Sequence, residues 1–353
     1  MRHLQTGLTE YDKARATEGY TLFTPMIDNI THLIDMDGKV VHEWTLPAGP
    51  GAYAYLLPNG NLLAAAKTED GPKLPARGGH LVELDWDGNI VWEHVDNNQH
   101  HDFRRLSNGN TVYLCWELLS KEDEKKVIGG VPGTEHEDGV YGDIVREVTP
   151  DGEIVWEWRA IDHLDGKKFP LHVAAIREEW AHANTICPVP DGNFIINFRH
   201  NNLMAIIDKQ TKEFSWTCRN LDFRQHHDVQ MLENGNILFF ANDADVISRG
   251  PEAGSRIIEI DPKTNDIVWQ YQGNPPASFY SWFISGCQRL WSSNTLICEG
   301  VYGRLFEVTP DGDVVWEYIS PYFKANPPQY GNSNRVFRCY RYRADSPEIN
   351  GRV

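Results

Sequence analysis

Residues 80–94 read HLVELDWDGNIVWEH, and this stretch decides the fold. Leu81, Val82 and Leu84 precede an Asp-Gly pair, and Ile90, Val91 and Trp92 follow it. Asp-Gly between two apolar runs predicts a hairpin, because glycine accepts the positive φ that a tight turn demands. The arrangement returns at 35–44, 149–158, 209–218, 262–271 and 309–318. Aligned on the residue after the paired apolars, the anchors are His42, Trp92, Trp156, Trp216, Trp269 and Trp316, spaced 50, 64, 60, 53 and 47 residues apart. A period of about 55 residues repeated six times takes in nearly the whole chain.

Five of the six units carry a second hairpin signal. It is Pro58-Asn59-Gly60-Asn61 in one unit, Asn-Gly-Asn at 108–110 and 234–236, Asp-Gly-Asn at 191–193 and Ser-Ser-Asn at 292–294. Strands flanking both turns give four per unit, and four-stranded antiparallel units repeated in a ring make a β-propeller. The expected fold is therefore all-β, a six-bladed propeller spanning 1–353 as one domain, with the tryptophans packed between blades. The first unit holds only outer strands (YTLF, HLIDM, VVHEW), and the last segment, NRVFRCYRY at 334–342, has no following Asp-Gly hairpin. The two chain ends are expected to complete one blade together and close the ring. Two insertions, 118–141 and 159–180, interrupt the pattern; the second reads as containing a short helix, and both are candidates for covering a channel mouth.

The 353 residues carry 33 Lys and Arg against 50 Asp and Glu, a net charge of −17. That balance argues against nucleic acid or an anionic membrane surface as partner, and makes any anionic substrate depend on local positive charge. The N-terminus opens no apolar run and no stretch approaches the roughly 18 apolar residues of a membrane span, so a cytoplasmic protein is expected. Six scattered cysteines with no paired spacing point to free thiols, with a disulfide across the fold left open.

The innermost strand of a blade faces the central channel and precedes the Asn-Gly-Asn turn. Seven residues before that turn lie Ala52, His101, Asn184, His227, Ser285 and, by a weaker alignment, Ala325. Two of these strands carry the same tetrapeptide, Gln99-His100-His101-Asp102 and Gln225-His226-His227-Asp228, and a third carries His182 beside Asn184. Histidines recurring at equivalent blade positions point to a site on the axis. After the turns, the matching positions are Lys67, Trp116, Arg199, Asn242 and Gly300, with Glu299 beside it. Arg199 is the cation best suited to an oxyanion, because guanidinium presents a planar fork; the other use open to it is an inter-blade salt bridge. Lys67 reads as a solvated surface residue.

These residues carry a family resemblance. The stretches 6–44, 99–114, 180–208 and 225–243, with NRVFRCYRY at the end, resemble the arylsulfotransferase family of six-bladed propellers. The resemblance implies transfer of a sulfuryl group from an aryl sulfate to a phenol through a channel histidine. It places the nucleophile on His227, with His226 as the adjacent alternative. It puts His101 at the sulfate or in acid–base work, and matches His182, Asn184 and Arg199 to the groups that hold the oxyanion. Asp102 and Asp228 would orient their neighbours or set a tautomer, and His100, Trp116 and Asn242 line the substrate site. No cofactor is implied. Two other readings stay open. His101, His182 and His227 could form a facial set for one divalent transition metal in a lyase, hydrolase or oxidoreductase; or the propeller could bind a small molecule without catalysis. The expected partner is in each case a small molecule, aromatic in the first reading.

Overall fold

Both turn types close as their residues require. Gly38 sits at φ 77° and donates to Asp35 O (3.1 Å), while Asp35 N donates to Lys39 O (2.9 Å). Gly60 at φ 84° does the same against Leu57. Where the repeat lacks glycine, Lys212 (63°), Asn265 (61°) and Ser293 (74°) take left-handed backbone in its place. The geometry of the turn thus outlasts the residue that best fits it.

A computed structural model describes residues 5–243, 253–325 and 331–353. The turns join antiparallel strands into six blades. From channel to rim, blade 1 is Pro50–Leu56, Leu62–Lys67, Gly79–Leu84 and Ile90–Val95. Blade 2 is Gln99–Arg105, Thr111–Leu118, Tyr141–Val148 and Ile154–Arg159; blade 3 is Ala183–Pro188, Phe194–Phe198, Leu203–Ile207 and Phe214–Cys218. Blade 4 is His226–Met231, Ile237–Ala241, Arg256–Ile260 and Ile267–Gln272; blade 5 is Gly286–Arg289, Thr295–Glu299, Arg304–Val308 and Val314–Ile319. Blade 6 is composite: the C-terminal Val336–Tyr342 is innermost, followed by Tyr20–Pro25, Ile30–Ile34 and Val40–Thr45. Tyr342 pairs with Tyr20 and Val336 with Pro25, which closes the ring as the sequence implied.

One strand was not foreseen. Gly7–Tyr11 adds a fifth strand to the rim of blade 5, Gly7 opposite Ile319 and Tyr11 opposite Trp316, before the chain crosses to blade 6. Its polar GLTEY sequence and a register shift between Leu8 and Glu10 hide the usual alternation. Ala325 requires a correction. It lies exposed in a small hairpin, Lys324–Ala325 against Asn332–Ser333, and the channel place in blade 6 belongs to the closing strand. Counting back from a turn fails there because that strand precedes none.

The anchor residues of the repeat clamp each blade to the next. Trp92 Nε1 donates to Pro150 O (2.7 Å), Trp156 to Lys209 O (3.0 Å), Trp216 to Pro262 O (2.9 Å), Trp269 to Pro310 O (2.8 Å) and Trp316 to Met36 O (3.0 Å). His42, the one anchor that is not tryptophan, makes the same link through Nε2 to Trp86 O (2.8 Å). Each acceptor is the second residue of the next blade's outer turn, directly after Asp35, Asp85, Thr149, Asp208, Asp261 or Thr309, so one repeated hydrogen bond runs round the ring. Between blades the core mixes aliphatic and aromatic side chains, as where Leu114, Val145 and Val112 of blade 2 share a buried cluster with Ile186, Ile196 and Phe198 of blade 3.

The two insertions fold onto one another. Val131 N donates to Ala175 O (2.8 Å), Leu171 N to Ile128 O (2.9 Å) and Trp180 N to Tyr141 O (2.7 Å), over shared Val127, Ile161, Leu164, Phe169 and Leu171. The helix in the second is a single turn, Ala160–His163. All six cysteines are unpaired, and among the described residues no helix is long and apolar enough to cross a membrane.

Candidate active site

The inner strands bring the counted positions to one end of the channel. Ala52, His101, Asn184, His227 and Ser285 are all buried. The rings of His101 and His227 each lie 6.3 Å from that of Phe337, which the closing strand supplies. His101 meets His182 edge-on at 4.7 Å, and His182 meets His200 at 4.6 Å. The count and the ladder nevertheless differ. Counting aligns His101 with His227, but in the pairing His100 opposite Leu114 corresponds to His227 opposite Phe240. Blade 2 bulges at His101–Asp102, blade 4 at Asp228–Val229, and the bulge in blade 2 takes up one residue more. His101 accordingly adopts left-handed backbone (φ 48°), an unfavourable conformation for a side chain of this size.

The two imidazoles of blade 4 follow one rule: each anchors Nδ1 and leaves Nε2. His227 Nδ1 is 2.6 Å from Asn242 Oδ1, whose amide is oriented by donation to Ser281 O (2.8 Å) and Ile284 O (2.9 Å). His226 Nδ1 is 2.7 Å from Asn197 Oδ1, whose Nδ2 donates to His226 O and Asn184 Oδ1. With the amides fixed, both histidines must donate at Nδ1, so Nε2 carries the lone pair. His182 Nδ1 lies 2.8 Å from Glu179 Oε2. His101 Nδ1 lies 2.8 Å from Nδ1 of His100. Burial, and then the charge of Arg199, hold His227 and His182 well below the ordinary imidazole value. Burial, then His182 and His100, do the same to His101, and burial pushes His226 down to about 3. These rings are neutral near pH 7.

Arg199 begins the 3-10 turn Arg199–Asn201 and stays partly exposed. It donates to Gln225 Oε1 (2.8 Å) and Trp282 O (3.4 Å), and approaches His200 Nε2 (3.5 Å); these partners are neutral, and burial lowers its pKa to about 10. Lys67 is part-buried rather than solvated, and burial first, then Arg77, lowers its pKa.

Other foreseen residues act on the frame. Asn184 Nδ2 donates to His226 O (2.8 Å) and its Oδ1 accepts from Asn197, so both ends of its amide are engaged. Asp102 Oδ2 accepts from Ile186 N and Asp228 Oδ2 from Cys287 N, each at 2.9 Å, tying an inner strand to the next blade. Trp116 stacks on His100 (4.3 Å) and donates to Glu179 Oε1 (3.0 Å).

Sequence reasoning missed five groups. Arg338 of the closing strand is fully buried and pairs with Asp102 (3.1 Å) and Asp228 (3.2 Å) together. Glu179 arrives at the end of the second insertion, Asp143 from the third strand of blade 2, Asn197 from the second strand of blade 3, and His200 from the turn after it. The only available signal was the acidic Glu178-Glu179 immediately before Trp180-Ala-His-Ala-Asn. Of the alternative metal set, His101 and His182 touch; the donor atoms that lie mutually within 4.8 Å are those of His100, His101 and Glu179.

Residues 55–321 match the family model described as arylsulfotransferase (ASST), and the chain belongs to that family of six-bladed propellers. No curated protein matches the chain. Among solved structures it is similar to a protein of unknown function from Bacteroides caccae at 14% identity and TM-score 0.59, covering 93% of this chain and 100% of that one. It is also similar to a streptogramin B lyase (14% identity, TM-score 0.50, covering 89% and 82%) and to the WD40 β-propeller domain of Doa1 (11% identity, TM-score 0.50, covering 95% and 94%). At these identities the likeness concerns the fold alone.

Proposed function

We propose that the channel transfers a sulfuryl group from an aryl sulfate to a phenolic acceptor through His227. The observation that carries this reading is the anchored imidazole. Asn242 holds the Nδ1 proton of His227, and Nε2 stands as a neutral lone pair in the electrostatic reach of Arg199. Family membership supports the reaction class.

In the first step Nε2 attacks sulfur, the bond between sulfur and the aryl oxygen breaks, and the departing phenoxide takes a proton. That proton comes from solvent, because burial and the charge of Arg199 hold His182 neutral near pH 7. In the second step neutral His182 accepts the proton of the acceptor phenol, later releasing it to solvent, and the phenol oxygen attacks sulfur. The nitrogen–sulfur bond breaks and His227 is regenerated. Arg199 meets the equatorial oxygens, and His101 closes the opposite wall. Sulfuryl transfer, like phosphoryl transfer, rests mainly on positioning and charge stabilisation, which this arrangement supplies.

The test is incubation with 4-nitrophenyl sulfate, with and without a phenol. The expected result is release of 4-nitrophenol and an added sulfuryl mass on the peptide carrying His226 and His227. No release and no adduct would overturn the reading.

A further inference from the structure

We propose that His100, His101 and Glu179 form a binding site for one divalent transition-metal ion, distinct from the Asn-anchored histidines of blade 4. Two imidazole nitrogens and one carboxylate oxygen are the donor set that zinc and its neighbours in the first row accept. The donors are buried and lie within 4.8 Å of one another. The Nδ1 atoms of His100 and His101 are 2.8 Å apart on rings inclined at 88°. Two nitrogens each at about 2.1 Å from one ion stand roughly 3.0–3.4 Å apart, so an ion would replace the hydrogen bond between these rings with only a small widening of their separation.

A second observation concerns what surrounds the donors. A histidine that ligates a metal through one nitrogen ordinarily turns the other toward a carboxylate. His100 Nε2, fully buried and without a hydrogen-bond partner, lies 3.4 Å from Oδ1 of the buried Asp143. Trp116 stacks on the His100 ring and donates to Glu179 Oε1, while His182 takes Oε2. A carboxylate offers about four lone-pair positions, so these contacts orient Glu179 and leave capacity for an ion. Asp143 and Glu179 are drawn in among neutral imidazoles with no lysine or arginine paired to either among the described residues. A divalent cation balances them.

The site stands whatever reaction the channel runs, and it is tested without substrate. Purified full-length protein is dialysed against chelator and titrated with Co2+, reading visible absorption and metal per chain. The expected result is one equivalent, displaced by Zn2+. X-ray absorption on the zinc form should show nitrogen and oxygen ligands without sulfur, which separates this site from the six cysteines. Glu179→Gln and His100→Ala should each weaken binding at least ten-fold, Asp143→Asn about 10- to 100-fold, and His227→Ala should leave it unchanged. Thermal melting identifies any variant that fails to fold. No saturable uptake by the folded wild type, or sulfur in the zinc spectrum, would overturn the proposal, as would wild-type affinity in folded Glu179→Gln and His100→Ala. Loss of sulfuryl transfer with metal stoichiometry intact counts against the proposed function alone.

Discussion

The chain contains Gln-His-His-Asp twice, at 99–102 and 225–228, and uses it in two ways. In blade 2 the strain falls on His101 (φ 48°); in blade 4 it falls on Gln225 (54°) and Asp228 (53°), and both histidines keep extended pairing. The neighbours diverge as well. Asp143 and Glu179 face the first pair, while the amides of Asn197 and Asn242 face the second. Only the aspartate keeps its part, since Asp102 and Asp228 each bind the next inner strand and share Arg338. A motif therefore sets which side chains reach the channel. The groups behind them decide whether the nitrogens are suited to a cation or to an electrophile.

Substitution can break this division. His227→Ala should lower 4-nitrophenol release by about 10⁴-fold or more while the fold and melting behaviour persist, because the covalent step loses the nucleophile that Asn242 anchors. Unchanged turnover would move the nucleophile to the other tetrapeptide. Arg338→Met tests what the two motifs share. It leaves two buried carboxylates without their cation, and should cost about 3–5 kcal/mol in urea unfolding. Adding Asp102→Asn and Asp228→Asn to that variant should recover part of the loss.

Acid should separate the histidines from their surroundings. Burial pushes His100 and His226 each down to about 3, so the unfolded chain takes up protons near 6.5 that the folded one refuses. Their contribution to stability is complete above about pH 6.5 and is lost as pH falls toward 3, at about 1.4 kcal/mol per pH unit for each. Asp102, raised by burial to about 6 against the pull of Arg338, works in the opposite sense between about 6 and 3.8. Urea midpoints measured from pH 7.5 to 5 should fall, and His226→Leu should flatten that fall. The smallest effect belongs to the rim, where the two tetrapeptides play no part. Trp269→Phe removes one inter-blade hydrogen bond and should cost about 1 kcal/mol, leaving turnover unaltered.

Much of this architecture was legible in the sequence, because turns and strand alternation are local. Asp-Gly and Asn-Gly-Asn mark hairpins wherever they occur, and the tryptophan spacing gives the blade count. His101, Asn184 and His227 were found by counting from those turns, and His182 by lying beside Asn184. Their partners were not. Glu179, Asp143, Asn197 and Arg338 come from an insertion, two positions farther out in their blades and the closing strand; Asp143 meets His100 two strands away in its own blade, and Asn197 and Arg338 reach their partners across blade boundaries. The slip between His100 and His101 was equally hidden, since a bulge changes pairing without changing residue count.

The closing strand has a consequence for synthesis. Phe337 and Arg338 follow the strands of all five unbroken blades in the chain, yet the channel is built against them. During translation five blades can assemble while Asp102 and Asp228 await their shared cation. The channel histidines therefore face no organised pocket until Val336–Tyr342 has been made and the ring is latched.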